Sequence, residues 1–275
     1  MPELPEVETI ANGLHKRVSG NRIESVWIGR KPEPLKSPAT AIAKTLEGAR
    51  VERVRRVGKH IVFDLLRNSV HGNGQSTRGQ WIVHLGMTGR MLVANPDTEI
   101  PKHTHLVARL SSGSELRFVD PRRFGRLEVR SGDFAGPGAE PLTISEDDFV
   151  RLFHKRAAPI KALLLNQTLL HGVGNIYADE SLFRAGIRPR RRGNSLSRAE
   201  LAALRKALRA VLKEAIAAGG SSVSDYVDAD GEEGFFQLQH RAYGREGQPC
   251  LLCKKKIKKI IVAGRGTHYC PQCQE

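Results

Sequence analysis

The sequence predicts an α+β chain of several domains, and three observations carry that class. Before about residue 140, apolar and polar residues alternate in short runs. After it, apolar residues recur at helical spacing. All four cysteines lie in the final 26 residues as two C-x-x-C pairs. At 275 residues the chain has room for one large domain or two to three smaller ones, each with its own core. An apolar content of 40% without a long apolar run fits a soluble globular protein and excludes a membrane-spanning helix. The balance of 44 Lys and Arg against 29 Asp and Glu gives a net charge of +15. Such an excess points to a polyanionic partner, nucleic acid being the commonest; it names a partner class and no chemistry.

The opening MPELPEVETI is acidic and proline-rich, unlike a secretory signal, which would be basic and then apolar. Val7, Ile10, Leu14 and Val18 recur at helical spacing, Pro5 suits a first helical turn and Gly20 suits the stop. Glu3 and Glu6 then fall at the positive end of that helix. Two readings of the opening stand side by side. It is a helix entry, or removal of Met1 exposes the secondary amine of Pro2, which can attack a carbonyl-level carbon and form an iminium ion. Strand-like runs follow: RIESVWIG, ARVERVRRVGKHIVFDLL, QWIVHLGMTGRMLV, HTHLVARL and SELRFVD, with LVARL-SSGS-ELRFV forming a hairpin. NSVHGNGQSTRG (68–79) is expected as a loop between strands.

Beyond residue 140, Ser145 opens an acidic turn ahead of Phe149, Leu152 and Phe153, and IKALLLNQTLL follows Pro159. GVGNIYADESLFRAGI comes next, and then a long helix with Ser197 as N-cap, Glu200 completing a capping box, and Gly219-Gly220 as its stop. The amides at the start of the NIYADE helix, with the Asn175 side chain, can hold a phosphate; a plain tight turn would read the same. Residues 219–240 are acidic and glycine-rich and are expected as a flexible loop.

Cys250, Cys253, Cys270 and Cys273 have the spacing of a tetrahedral four-thiolate zinc site, with 16 residues between the pairs able to form a hairpin around Gly-Arg-Gly. Two disulfides or a redox pair compete with this reading, and zinc is preferred because no secretory signal or further cysteine is present. Metal ligation also supplies folding energy to a segment too short for a core. From 240 to 275 there are eight Lys or Arg against two Glu, so the ribbon is expected to touch phosphates.

Three more constellations are ambiguous taken singly. Lys59 in GKH reads as a surface lysine at a strand edge. Met87 in HLGMTG reads by default as a core side chain. DPRRFG (120–125) reads as a structural turn, or as a loop pushing Arg and Phe into an unstacked duplex.

Taken in order, MPELPEVET, GKH, HLGMTG, DPRRFG, GVGNIYADE, GGSS, YGREGQPC and the paired C-x-x-C ribbon resemble the formamidopyrimidine-DNA glycosylase family, from residue 2 to residue 273. The resemblance implies an N-terminal β-sandwich with its N-terminal helix over 1–135. It also implies a helix–two-turn–helix domain over 136–239, bearing a lesion-capping loop at 219–240, and a zinc ribbon over 240–275. It implies a bifunctional glycosylase and abasic-site lyase that removes oxidised purines, chiefly 8-oxoguanine and formamidopyrimidines, from double-stranded DNA. The Pro2 amine would attack C1′ to leave a Schiff base, with cleavage by β- and δ-elimination. Glu3 would shuttle protons, Glu6 would support it, Lys59 would assist β-elimination beside the lesion phosphate, and Arg265 would grip phosphates and assist δ-elimination. Met87, Arg122 and Phe124 would fill the space left by the extruded nucleotide, and His84, His103, Arg156 and Asn175 would contact the DNA backbone. One structural zinc, a monomer, no membrane, and a cytoplasmic, nucleoid-associated location complete the expectation.

The chain departs from the family's pattern in its longer 68–79 stretch, in His171 before GVGN, and in PGAEPL. The mechanism also requires that Met1 be removed. Two alternatives stay open: an endonuclease VIII-like glycosylase for oxidised pyrimidines, and a non-catalytic zinc-ribbon nucleic-acid binder. The PELPE opening, the Arg122/Phe124 pair and the length of the 219–240 loop favour the purine branch.

Overall fold

The computed structural model describes residues 1–67, 76–222, 229, 232 and 234–275. These separate into two compact units, Met1–Ala135 with Gly219–Gly234, and Gly136–Ala218 with Phe235–Glu275. The sequence predicts three domains; by compactness the ribbon joins the helical unit, and 219–234 joins the first.

In the first unit the predicted opening helix is α1 (Leu4–Val18), and Val7, Ile10, Leu14 and Val18 are all buried. Glu3 is its N-cap, and the chain turns away at Gly20 with φ +86°. The strands are β1 (Ile23–Ile28), β2 (Arg50–Val57), β3 (His60–Arg67), β4 (Thr77–His84), β5 (Arg90–Ala94), β6 (Thr104–Leu110), β7 (Glu115–Val119) and β8 (Arg126–Arg130). They form two four-stranded antiparallel sheets, ordered β1-β6-β7-β5 and β2-β3-β4-β8. Phe63, Trp81 and Val83 from one sheet and Leu106, Leu116 and Phe118 from the other share one core with α1.

Local chemistry explains how those runs divide. β2 and β3 join through the two-residue turn Gly58-Lys59, with Gly58 at φ +59°. A register shift between Val51 and Arg53 keeps both Val51 and Val54 buried, which strict alternation would not. The LVARL–ELRFV hairpin forms as predicted. QWIVHLGMTGRMLV does not run as one strand: it breaks over Leu85–Gly89 and continues in the other sheet as β5. A side chain on Gly89 would meet the Leu85 carbonyl oxygen at 2.2 Å, so glycine is required at that break. The helix α2 (Ala39–Leu46) has no counterpart in the sequence reading; only Ile42 and Leu46 are buried on it, too few for a clear periodic signal. Of the predicted 68–79 loop, 77–79 belong to β4 and 68–75 lie outside the described residues.

The second unit contains α3 (Glu146–Phe153), α4 (Ile160–Leu165), α5 (Asn175–Arg184) and α6 (Arg198–Ala217), followed by the hairpin β9 (Lys258–Val262) and β10 (Arg265–Tyr269). The acidic turn opened by Ser145 forms as predicted, with Ser145 as its N-cap, and so does the Ser197/Glu200 capping box. α4 is shorter than the run to Leu170 suggests. Asn166 ends it by accepting the Thr168 amide at 3.0 Å, an Asx turn that competes with helix. His171 is buried over Gly136, where a Cβ would lie 1.9 Å from its Nδ1, so the unusual histidine is accommodated by a glycine across the chain. In the 219–240 stretch, Phe236–Gln239 form a 3-10 turn, with Phe236 buried against Tyr177, and 223–228, 230, 231 and 233 lie outside the described residues. Among the described residues no helix is long and apolar enough to cross a membrane.

Candidate active site and DNA-contacting surfaces

The N-terminal residues converge by helix capping. Pro2, Glu3 and Glu6 are all buried, Glu3 being 5% exposed. Glu3 and Glu6 form a reciprocal capping box in which Glu6 Oε2 accepts the Glu3 amide at 2.8 Å. Glu6 Oε1 accepts the Ser221 amide at 2.8 Å, and the Gly220 backbone lies against the Glu6 side chain, with room for a Cβ only at 3.0 Å. One carboxylate therefore fixes both the backbone behind Pro2 and the root of the 219–234 segment. That second partner is 215 residues away, and nothing in the sequence announced it.

Lys59 sits at the turn of the β2–β3 hairpin and is only 6% exposed, so it is not the surface lysine that its local sequence suggests. Arg56 holds this turn beside α1: its guanidinium pairs with Glu8 and donates to the Gly58 carbonyl at 3.3 Å. Neighbouring His60 packs against His84 and Phe134, at ring distances of 4.9 Å each. Burial pushes the His60 pKa below its ordinary value, against a smaller upward pull from the Val57 backbone and Glu128. His84 turns its Nδ1 to the Gly86 amide at 3.1 Å.

Two loops of this unit present large side chains to solvent. Met87 is 42% exposed, contrary to the default of core burial, and Phe124 is 48% exposed. The Arg122 guanidinium carbon lies 4.7 Å from the centre of the Phe124 ring. His103 is exposed with φ +68°, and its carbonyl accepts the Asp120 amide at 3.0 Å.

In the second unit, Arg156 is exposed and its Nε donates to the Leu152 carbonyl at 2.8 Å. Asn175 opens α5, but its Nδ2 is committed to the Gly266 carbonyl at 2.9 Å. The ribbon turn is Ala263-Gly264, both at positive φ, so exposed Arg265 begins β10 instead of lying at the turn centre. Sequence reasoning missed what holds Arg265's neighbour. Fully buried Lys161 pairs with buried Asp179 at 2.6 Å and donates to Gly266 O at 3.1 Å and Thr267 Oγ1 at 2.8 Å. Asp179 Oδ2 in turn accepts the His268 amide at 2.8 Å.

The four cysteine sulfurs lie within 4.8 Å of one another, with Cys250–Cys273 at 3.9 Å and Cys253–Cys270 at 3.4 Å. Tetrahedral zinc with Zn–S bonds of about 2.3 Å needs sulfurs about 3.8 Å apart, whereas a disulfide needs about 2.05 Å. The donor set therefore fits one structural zinc. Burial raises the thiols of Cys270 and Cys273, and Cys273 is pushed up further by the neighbouring sulfurs. Burial also opposes ionisation of Cys250, but hydrogen bonds from the amides of Cys253 and Leu252 and from the Cys270 and Cys253 sulfurs together bring that thiol down to about 7. Gln274 holds the second knuckle, accepting the Cys270 amide and donating to the Ile187 carbonyl, both at 2.8 Å. Chelation is expected to unfold the ribbon, because apparent zinc binding of about 10–16 kcal/mol is folding energy in such modules. Hydrogen exchange should then show lost protection over 250–274 and retained protection in β3 and β4. Retained ribbon protection without zinc would overturn this.

Two antiparallel sheets with a capped N-terminal helix, a helical unit and a four-cysteine ribbon define a multidomain α+β protein with a structural zinc ribbon. Residues 1–127 match the formamidopyrimidine-DNA glycosylase N-terminal domain, 136–227 the H2TH domain of the same proteins, and 247–275 the zinc finger found in FPG and IleRS. A formamidopyrimidine-DNA glycosylase of Solibacter usitatus is 43% identical over 283 residues, covering all of both chains. The crystal structure of the MutM (Fpg) protein from Thermus thermophilus is 43% identical with a TM-score of 0.84, covering 99% of this chain and 98% of that one. A Lactococcus lactis Fpg mutant in complex with Fapy-dG-containing DNA is 34% identical with a TM-score of 0.88, covering both chains fully. The chain belongs to the formamidopyrimidine-DNA glycosylase family.

Proposed function

We propose that this DNA glycosylase of base excision repair removes oxidised purines, 8-oxoguanine and formamidopyrimidines, through a Pro2 Schiff base. The observation that carries the reading is the buried Pro2-Glu3-Glu6 opening, capped onto α1 beside the Lys59 turn. With Met1 removed, the Pro2 nitrogen attacks C1′ of the extruded nucleotide. The glycosidic bond breaks, and the base leaves with its bonding pair and a proton. Glu3 protonates the ring oxygen as the C1′–O4′ bond opens, and the nitrogen lone pair forms the iminium. That cation acidifies the 2′ hydrogen, whose loss expels the 3′ phosphate; a second elimination expels the 5′ phosphate. Lys59 assists the first elimination and Arg265 the second.

The other assignments follow the same logic. Glu6 acts through backbone amides and is a positioning residue. Met87, Arg122 and Phe124 fill the vacated space, at an unstacking cost of about a few kcal/mol. His84, His103, Arg156 and Asn175 line the backbone-binding surfaces, and residues 219–240 close over the extruded base. The protein works as a monomer in the cytoplasm, at the nucleoid.

Glu3→Gln tests the proton assignment. Base release from an 8-oxoguanine·cytosine duplex should fall by about 10²- to 10⁴-fold. The borohydride-reducible adduct with a preformed abasic site should persist, since no base need leave there. Wild-type base release by this variant would remove Glu3 from its role. Faster excision of thymine glycol than of 8-oxoguanine by the unaltered protein would move the substrate class to oxidised pyrimidines.

A further inference from the structure

We propose that Asp120, through Thr88, bolts the Met87 loop to the Arg122–Phe124 loop, so that the three space-filling side chains enter DNA as one rigid wedge. The inference rests on the space-filling reading of Met87, Arg122 and Phe124. Asp120 is fully buried and directs each carboxylate oxygen to a different loop. Oδ1 accepts the Thr88 hydroxyl at 2.6 Å, and Oδ2 accepts the Gly125 amide at 2.7 Å. The Thr88 oxygen also accepts the Arg122 amide at 3.3 Å, so one hydroxyl bridges the two loops. The backbone of Asp120 reaches further: its amide donates to the His103 carbonyl at 3.0 Å, and its carbonyl meets His105 Nε2 at 2.9 Å.

The loops themselves meet backbone to backbone. A Cβ on Gly86 would lie 2.5 Å from the Phe124 carbonyl carbon and 2.6 Å from the Gly125 nitrogen. A Cβ on Gly125 would lie 2.6 Å from Phe118 Cζ and 3.0 Å from the His84 carbonyl oxygen. Glycine at both positions lets the loops touch, and the Asp120–Thr88 pair fixes their register. Met87 and Phe124 stand on either side of this seam, exposed but next to backbone tied together by the Asp120 and Thr88 hydrogen bonds. Ordering already present in the free protein need not be supplied when the wedge enters the duplex.

Asp120 and Thr88 are therefore positioning residues for base extrusion, with no part in the chemistry at C1′. The test is the ratio of two single-turnover rates on one protein preparation: excision of 8-oxoguanine opposite cytosine, and strand cleavage at a preformed abasic site. A ratio is independent of the folded fraction. Thr88→Val should lower it by about 10- to 100-fold, the scale of an ångström-level misplacement. Thr88→Ser, which keeps the hydroxyl, should restore it. Should Thr88→Val fail to fold, Asp120→Asn carries the same expectation. An unchanged ratio, or equal loss on both substrates, overturns the bolt. Phe124→Ala separates this from the underlying reading. If it too leaves the ratio unchanged, the space-filling role itself fails. If it lowers the ratio while Thr88→Val does not, only the bolt fails.

Discussion

A chain that keeps Met1 should give no borohydride-trapped adduct with any lesion duplex, whereas the processed chain traps at Pro2. With Met1 in place the Pro2 nitrogen is an amide, its lone pair is shared with a carbonyl, and it is no nucleophile. Met1 is 48% exposed and Pro2 behind it is buried, so removing the methionine leaves the first buried group of the chain as a free secondary amine. The loss of lyase activity should be on the order of 10⁴-fold or more, the scale seen when a covalent nucleophile is disabled. Mass spectrometry of the reduced adduct, on two preparations that differ only in Met1, decides the matter. An adduct of equal yield from the Met1-bearing chain, mapped to a lysine, would move the nucleophile elsewhere.

Lys161→Met should destabilise the second unit by about 3–5 kcal/mol, because it strands the Asp179 charge in a dry interior. Both partners are fully buried at 2.6 Å, and Lys161 has two further acceptors in the Gly266 carbonyl and the Thr267 hydroxyl. The double variant Lys161→Met with Asp179→Asn should recover much of the loss. It removes the stranded charge while the Asn oxygen can still accept the His268 amide. Urea unfolding of the zinc-loaded single and double variants gives the coupling directly. Additive losses would show that the pair is not a unit. The strand-cleavage products give a second reading, since Gly266 adjoins Arg265: the double variant should shift from δ- toward β-elimination product.

Short-range chemistry was legible in the sequence, and long-range chemistry was not. The acidic turn at Ser145, the cap at Ser197, the α1 stripe, the LVARL–ELRFV hairpin and the four-cysteine cluster each depend on residues close in the chain or on metal-ligand spacing. The division of 80–93 between two sheets depends on a close approach at Gly89 that no periodicity encodes. Lys59 and Met87 go the opposite way from their residue-type defaults, the cation inward and the thioether outward. Such reversals are what functional positions produce, since their placement answers to a partner absent from the folding problem. The carboxylates that organise the sites escape notice for another reason. Glu6, Asp120 and Asp179 each engage partners in distant segments, and an acidic residue in a basic chain reads as ordinary surface until it is found buried.

The buried ion pair has a consequence for the order of assembly. Lys161 and Asp179 lie in α4 and α5, but the carbonyl, hydroxyl and amide that complete their shell belong to β10, 89 to 106 residues later in synthesis. Until that hairpin arrives and metal closes the cysteine cluster, the helical layers carry a half-satisfied pair of charges at their centre. A chain interrupted before the ribbon, or starved of zinc, is thus left with an interior that favours reopening and exposure to proteases. Completion of the chain is thus written into the stability of its middle, through bonds that the last-made hairpin supplies.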